Sequence, residues 1–339
     1  MGYSRVVLVS YFFSRAIGGA ERSIRQELLK YKVEGSKILI ITFDKKVSQG
    51  IIKDQDFEVI NYHLKNSLKC FSIFTRSIVN RNFIFSKLSN ILKENDLVLT
   101  QTPLSVPVSE YCISKKIPYF IYLRDEQDLN KYVYYERKLS LHFIFYLLRF
   151  ILNFPLFLKF KKERIYSLKK AEKIIANSKY MQKELLGKYG LNSKVIYPKV
   201  DFSRLRKREL KKENQKYIGF IGGGFLVKGW NIVQKISKKL PEQKFLVVGN
   251  YKKSFKVRNI YYLPKQKNIM NFYKKIKLLV VPSIWDEAFG RVVIEANYLG
   301  IPVITSNKGG LPEANKKRLN IIKDVKNINL WKRKILELI

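Results

Sequence analysis

Histidine and cysteine are nearly missing from this chain: two of each occur among 339 residues. Cys70 and Cys112 lack metal-ligand spacing and do not suggest a disulfide framework, which points to a reducing compartment with cytoplasm as the default. The two histidines, His63 and His142, add no metal cluster. Acidic residues are also scarce: against 66 Lys and Arg stand 27 Asp and Glu, a formal net charge of +39. No apolar run is long and clean enough to span a bilayer. At the amino terminus, Val6 to Val9 and Tyr11 to Phe13 are too short, and too soon followed by Arg15, for a secretion signal, so they read as a first strand. Fixed-period repeats and low-complexity tracts are missing as well.

What is present starts with charge. Residues 1–200 carry 35 basic and 17 acidic residues, and residues 201–339 carry 31 and 10, so the excess is dispersed over both halves. Such an excess attracts polyanions in general: anionic lipid, phosphate-bearing substrates or nucleic acid. An AT-rich coding bias accounts for part of the Lys content but not for the scarcity of acids. Without a recognition helix or an RNA-binding motif, charge alone does not make nucleic acid the partner. The length and 46% hydrophobic content suit two α/β domains of ordinary size.

Short apolar runs at Val6 to Ser10, Ile38 to Thr42, Leu97 to Thr100 and Tyr119 to Tyr122 alternate with helical or polar segments. The pattern continues at Lys173 to Ala176, Val195 to Tyr197, Tyr217 to Ile221, Phe245 to Val248, Asn259 to Leu263, Leu278 to Val281 and Val303 to Thr305. Two parallel sheets are predicted, with the boundary near residue 200: Pro198 and the charged stretch Arg204 to Lys216 separate a domain of residues 1–200 from one of 201–339. Leu139 to Phe160 forms a helical apolar pattern interrupted by Arg149, Asn153 and Pro155. A transmembrane span does not fit, since an arginine at mid-bilayer costs at least ~2.5 kcal/mol. A helix lying on a membrane surface fits the basic cluster that follows, Lys159 to Lys170; a core or domain-bridging helix fits the same spacing.

The segment from Trp285 to Glu313 carries the chemistry. Leu278 to Val281 reads as a buried strand ended by Pro282 and Ser283, Glu287 lies in the loop, and Val292, Val293, Ala296 and Leu299 have helical spacing. The helix is therefore expected to start near Phe289 and Gly290, where unpaired N–H groups and the macrodipole favour phosphate and a glycine permits close approach. Glu295 lies about one turn inside and suits two ribose hydroxyls, while Glu287 suits hydroxyls of a sugar beyond the diphosphate. Glu-x7-Glu alone would more often be two solvated helix residues; its surroundings reverse that reading.

Two glycine loops accompany it. One follows the first strand, Gly18-Gly19-Ala20-Glu21-Arg22, and one follows Tyr217 to Ile221, Gly222-Gly223-Gly224 leading to Lys228-Gly229; each stands before a helix, the arrangement for phosphate approach. The second is neither a Walker A motif nor a dinucleotide fingerprint. Leu123-Arg124-Asp125 ends a strand at the edge where α/β sites lie, and Arg124 reads either as a phosphate contact or as an ion pair to Asp125 or Asp128. Asp54-Gln55-Asp56, an Asp-x-Asp, follows no apolar strand directly and reads as a surface loop rather than a metal site.

Glu287, Phe289, Gly290 and Glu295, then Gly300-Ile301-Pro302-Val303-Ile304, Ser306 and Gly309-Gly310-Leu311-Pro312-Glu313, resemble the retaining glycosyltransferases of family 4, within the glycosyl transferases group 1. The resemblance implies the GT-B fold, α/β with two Rossmann-like domains whose parallel sheets face a central cleft. It also implies a metal-independent, hexosyltransferase-like transfer from a nucleoside-diphosphate sugar, with no other cofactor, to a glycan or lipid-linked acceptor. Cell-surface polysaccharide or glycolipid synthesis, in the cytoplasm or at the inner face of the membrane, is the implied setting. The matching positions put Lys228 and Gly222 on the diphosphate, Gly18 and Gly19 in the first loop, Glu287 on the sugar and Glu295 on the ribose. Ser178 and Tyr197 to Asp201 match architectural landmarks. Two positions depart: Gly223 stands where many members carry an arginine, and Arg124 where many carry a histidine. Only 26 residues follow Glu313, where members usually continue into helices crossing back to the first domain. These departures leave a second expectation, a catalytically degenerate GT-B protein serving as a membrane-associated binding or complex subunit.

Overall fold

The computed structural model describes residues 3–13, 19–54, 56–64, 77–124, 142–200, 202, 205–315 and 320–339. These fall into two compact units, one ending at Lys199 and one starting at Val200. The first contains β1 (Arg5–Ser10), α1 (Gly19–Val33), β2 (Lys37–Thr42), β3 (Gly50–Lys53), β4 (Glu58–Asn61), α2 (Arg81–Ser89) and β5 (Asp96–Gln101). It continues through α3 (Ser105–Ser114), β6 (Tyr119–Leu123), α4 (His142–Lys170), β7 (Lys173–Ala176), α5 (Lys179–Tyr189) and β8 (Lys194–Val195). Its sheet order is β3-β4-β2-β1-β5-β6-β7-β8.

The second unit contains β9 (Tyr217–Gly223), α6 (Trp230–Lys239), β10 (Lys244–Gly249), β11 (Phe255–Val257), β12 (Ile260–Leu263) and α7 (Met270–Tyr273). After these come β13 (Ile276–Val281), α8 (Arg291–Leu299), β14 (Val303–Ser306), α9 (Leu311–Ala314), β15 (Ile321–Ile322) and α10 (Ile328–Leu336). The order of its sheet is β11-β12-β10-β9-β13-β14-β15. In both units the first strand lies between neighbours reached in opposite directions, β2 and β5 for β1, β10 and β13 for β9. The carboxyl ends at such a reversal form the crevice where open α/β sheets bind ligands.

Central strands are apolar runs because both of their faces are covered. Val6 to Val9 and Leu97 to Leu99 are fully buried. Around the second sheet two clusters alternate along the strands. Phe245, Val247, Leu278 and Val280 join Ile232, Ile236, Trp331 and Ile335 on one face, and Leu246, Val248 and Leu279 join Tyr273, Val293, Ala296 and Leu299 on the other. Helix ends follow local chemistry. The Ser178 side chain accepts from the Met181 N–H at the start of α5, and Gly190 ends that helix at φ 65°, a cap of about 1 kcal/mol at the serine.

Two expectations need correction. Neither sheet is wholly parallel: β3 pairs antiparallel with β4 and β11 with β12, because each pair is joined by a short turn that cannot make a parallel crossover. Asp54 directly follows a strand, β3, whose Ile51 is 71% exposed; an edge strand of that kind has no apolar run to reveal it. Pro155, one of the residues that interrupt the apolar pattern, lies inside α4. Pro155 and Ile151 are exposed, so the turn in which the proline removes a helix hydrogen bond lies at the surface.

Candidate active site

The carboxyl ends of β9 and β13 bring the second glycine loop against the Glu287 loop. β9 ends in glycines, with Gly222 at φ 127° and Gly224 at φ 88°, values that favour glycine. A short turn, Leu226 to Lys228, follows, and Gly229 at φ 80° starts α6. A Cβ on Gly229 would collide with the carbonyl of Pro282, at the end of β13. The Ile284 N–H donates to the Val227 carbonyl at 3.0 Å. The two loops are thus held backbone to backbone, and Lys228 is fixed opposite Glu287.

The Lys228 ammonium donates to Glu287 Oε1 and Oε2, both at 2.7 Å. Ser283 Oγ donates to Glu287 Oε1 at 2.6 Å, and Ser306 Oγ, at the end of β14, donates to the Ser283 carbonyl at 2.7 Å. Behind the carboxylate, the Gly310 N–H donates to the Glu287 carbonyl at 2.6 Å. A Cβ on Gly309, which has φ 59°, would run into the Glu287 backbone, and one on Gly310 would meet the Ala288 carbonyl oxygen. The Gly309-Gly310 pair therefore lets a second loop lean directly on the backbone that carries Glu287. The pair is partly open to solvent, the side chain of Lys228 being 36% exposed and that of Glu287 13%. Trp285 lies 5.9 Å from the same ammonium by its ring centroid.

Glu295 occupies a different environment. Helix α8 starts after Gly290, which packs against Leu311, Ala314 and Val293 so closely that a Cβ would crowd all three. Glu295 is 8% exposed, and Tyr273 OH donates to its Oε2 at 2.8 Å. Burial, and then the Glu295 charge, push the Tyr273 phenol well above its ordinary pKa, so it stays a donor across the neutral range. Phe289 is a partly buried member of the cluster on this face. The two glutamates, alike in sequence, are held by different groups: Glu287 by a cation and a serine, Glu295 by a buried phenol.

Gly223 ends β9 under the ring of Tyr251. A Cβ there would collide with the Tyr251 hydroxyl and crowd Val247, and one on Gly249 would meet the same ring. Tyr251 packs edge-on against Phe255 and Tyr262, and burial raises its phenol to about 12. This aromatic was not evident among the glycine motifs. Its only sequence signal is a tyrosine two residues beyond the end of β10, where a side chain can reach across the neighbouring strand end.

In the first unit, Arg124 follows β6 and lies over the Tyr122 ring, its guanidinium carbon 4.9 Å from the centroid. It borders a pocket with Ser23, Glu27, Tyr122, Asn177 and Lys199. The Asn177 amide donates to the Arg124 carbonyl at 3.2 Å. Gly18, Asp125 and Asp128 lie outside the described residues, and Gly19 is the first residue of α1. His63 contacts the Val47 carbonyl at 2.7 Å, whereas the His142 side chain is outside the described set. Arg25 ties Asp54, and also Asp56 at 2.5 Å. Among the described residues no group of three or more His, Cys, Asp or Glu could hold a metal ion.

Residues 201–339, the whole second unit as read from sequence, match the family model described as Glycosyl transferases group 1. An uncharacterized 42.6 kDa protein in the cps region of Klebsiella pneumoniae is 30% identical over 133 residues, 36% of this chain and 35% of that protein. A D-inositol 3-phosphate glycosyltransferase of Mycolicibacterium smegmatis is 27% identical over 172 residues, 42% of this chain and 39% of that one. The matched stretches thus span well under half of these relatives. In fold, the chain is similar to an Anabaena protein solved in complex with UDP, with a TM-score of 0.65 at 15% identity, covering 98% of this chain and 91% of that one. The fold is GT-B, two Rossmann-like units each with a mostly parallel sheet.

Proposed function

We propose, on the premise that the carboxyl-terminal unit belongs to the group 1 glycosyltransferases, that the protein is a retaining glycosyltransferase of family 4. It moves a sugar from a nucleoside-diphosphate donor to a glycan or lipid-linked acceptor. The observation that carries this reading is the Lys228–Glu287 pair, 2.7 Å from ammonium to each carboxylate oxygen, at the sheet reversal beside the amino end of α8. The barrier in such a transfer is departure of a diphosphate from an oxocarbenium-like sugar, so the useful catalyst is positive potential aimed at the leaving group. Lys228 and the amino end of α8, at Phe289 and Gly290, are the groups of the second unit suited to that task. Gly222 permits close approach of the phosphates.

Donor binding on this reading divides the existing pair: the ammonium turns part of its donor capacity to the diphosphate, and Glu287 accepts sugar hydroxyls while Ser283 keeps it oriented. Glu295 accepts ribose hydroxyls, with Tyr273 fixing its rotamer. Within the first unit, Gly18, Gly19 and Arg124 are the groups proposed to serve the acceptor. Surface polysaccharide synthesis is the proposed setting, supported by the relative in a cps region.

A second reading, a donor-binding protein without turnover, is favoured by one observation: Tyr251 fills the space beside Gly223, where many members of the family carry a cationic side chain. A panel of nucleotide sugars, assayed for binding and for release of nucleoside diphosphate, separates the two. Saturable binding of one donor, with release that disappears in Glu287→Gln, is the expected result. Binding without release on any glycan or lipid acceptor would establish the second reading, and no donor binding would end both.

A further inference from the structure

Helix α4 presents two opposed faces along its carboxyl-terminal two-thirds. Phe160, Arg164, Ser167 and Leu168 are buried: Phe160 packs with Ile78 and Val106, and Arg164 donates to Ser105 Oγ at the start of α3. At helical spacing these four share one side. On the other side lies a line of Ile151, Phe154 and Leu158, which are 57%, 42% and 49% exposed, together with exposed Pro155. The line continues through Lys162 and Lys169, both exposed. Because it lies roughly opposite the buried face, the same packing that holds α4 to its unit turns these apolar side chains outward. Large aliphatic and aromatic groups grouped in this way on a soluble surface mark an interaction site.

The flanks identify the partner. Lys159 and Lys161 lie on either side of the apolar line, and both are exposed. Lys159 keeps a side chain 58% exposed even with Glu163 4.0 Å away. Lysines beside an apolar stripe can bury their stems at an interface while their ammonium groups meet anionic headgroups. Few carboxylates oppose this in a chain of net charge +39, and among the described residues no helix is long and apolar enough to cross a membrane. We propose that the outer face of α4, from Ile151 to Lys169, docks the protein on an anionic lipid surface, with Ile151, Phe154 and Leu158 entering the headgroup boundary. The inference does not depend on the glycosyltransferase reading.

The test uses the full chain with vesicles of phosphatidylglycerol and phosphatidylcholine, or of phosphatidylcholine alone, in a sedimentation assay. The wild-type protein is expected on the anionic vesicles and in the supernatant with the neutral ones, with binding falling as salt is raised. The double change Ile151→Asp and Leu158→Asp should lower the anionic-vesicle partition coefficient by about ten-fold or more. Its melting curve should stay near that of the wild type, because both side chains are exposed. The milder change Lys159→Gln with Lys161→Gln should weaken partition by about ten-fold while sparing the apolar line. Unchanged partition in the double aspartate variant would overturn the proposal by assigning any binding to bulk charge. Absence of vesicle binding would overturn it as well, as would wild-type self-association that the aspartates abolish without any lipid effect.

Discussion

The two crevices at the carboxyl ends of the sheets are held together in different ways. In the second unit backbone rests on backbone: Gly229 touches Pro282, and Gly309 and Gly310 lean on the loop of Glu287 and Ala288. In the first unit side chain meets side chain: Arg124 lies over Tyr122 at the crevice, and Arg25 spans Asp54 and Asp56 away from it, beside β3, which runs opposite to its neighbour. The contrast teaches where a site is easily destroyed. Backbone contact admits one residue type, whereas a side-chain tie can be made and replaced in many ways.

The largest effect should come from adding a single carbon where backbones touch. Gly229→Ala places a methyl group on the Pro282 carbonyl and strains a residue at φ 80°; we expect a loss of about 3 kcal/mol or more in denaturant unfolding. Gly190→Ala, also at positive φ but with nothing within 4 Å of the added carbon, should cost about 1–2 kcal/mol from strain alone. Equal losses at the two positions would show that loop contact contributes nothing beyond backbone conformation.

Next come the cations. On the proposed function, Lys228→Ala should lower kcat about 10²–10³-fold with a small change in melting temperature, since the pair it breaks is partly exposed. Arg124→Ala should cost about ten-fold. If Arg124→Ala proves as damaging as Lys228→Ala in steady-state assays, the first unit carries a leaving-group cation and the contrast between the crevices fails.

The smallest effect concerns the Arg25 tie. Burial alone would raise the Asp54 carboxyl, but the hydrogen bond from Arg25, the Asp56 backbone N–H and the Arg25 charge together hold it below the ordinary value. A carboxyl depressed in the folded state stabilises at pH values above its unfolded pKa, near 4, and that contribution is lost as pH falls through the lower folded value. Asp54→Asn should therefore be less stable than wild type near neutrality, by roughly 1 kcal/mol or less. The difference should vanish once pH falls below the lowered folded value. A difference that persists there in pH-dependent melting would make the contact steric rather than ionic.

Elements of the fold were legible in proportion to their burial. β1, β2, β5, β6 and β13 are apolar runs because neighbours cover both faces, so composition alone marks them. β3 and β11 went unseen: Ile51 is 71% exposed, and Phe255 to Val257 are exposed throughout, so only pairing with β4 and β12 makes them strands. The amino end of α8 was readable from Gly290 and the spacing of Val292, Val293, Ala296 and Leu299, and the helix indeed runs from Arg291 to Leu299. Tyr251 was not readable, since nothing local to residues 249–251 says that its ring crosses to Gly223.

By itself the sequence determined where the backbone can be approached closely, because glycine at Gly222, Gly229, Gly290, Gly309 and Gly310 is a property of the chain and needs no partner to be recognised. It also determined the basic excess. Tertiary structure alone decided how the charged groups combine: Lys228 and Glu287, 59 residues apart, meet with both carboxylate oxygens engaged, while Glu295, eight residues further on, turns inward to Tyr273. The reason is geometric. Glu287 precedes the helix and faces the neighbouring loop, whereas Glu295 lies on the face of α8 that packs against α7, so equal chemistry meets unequal surroundings.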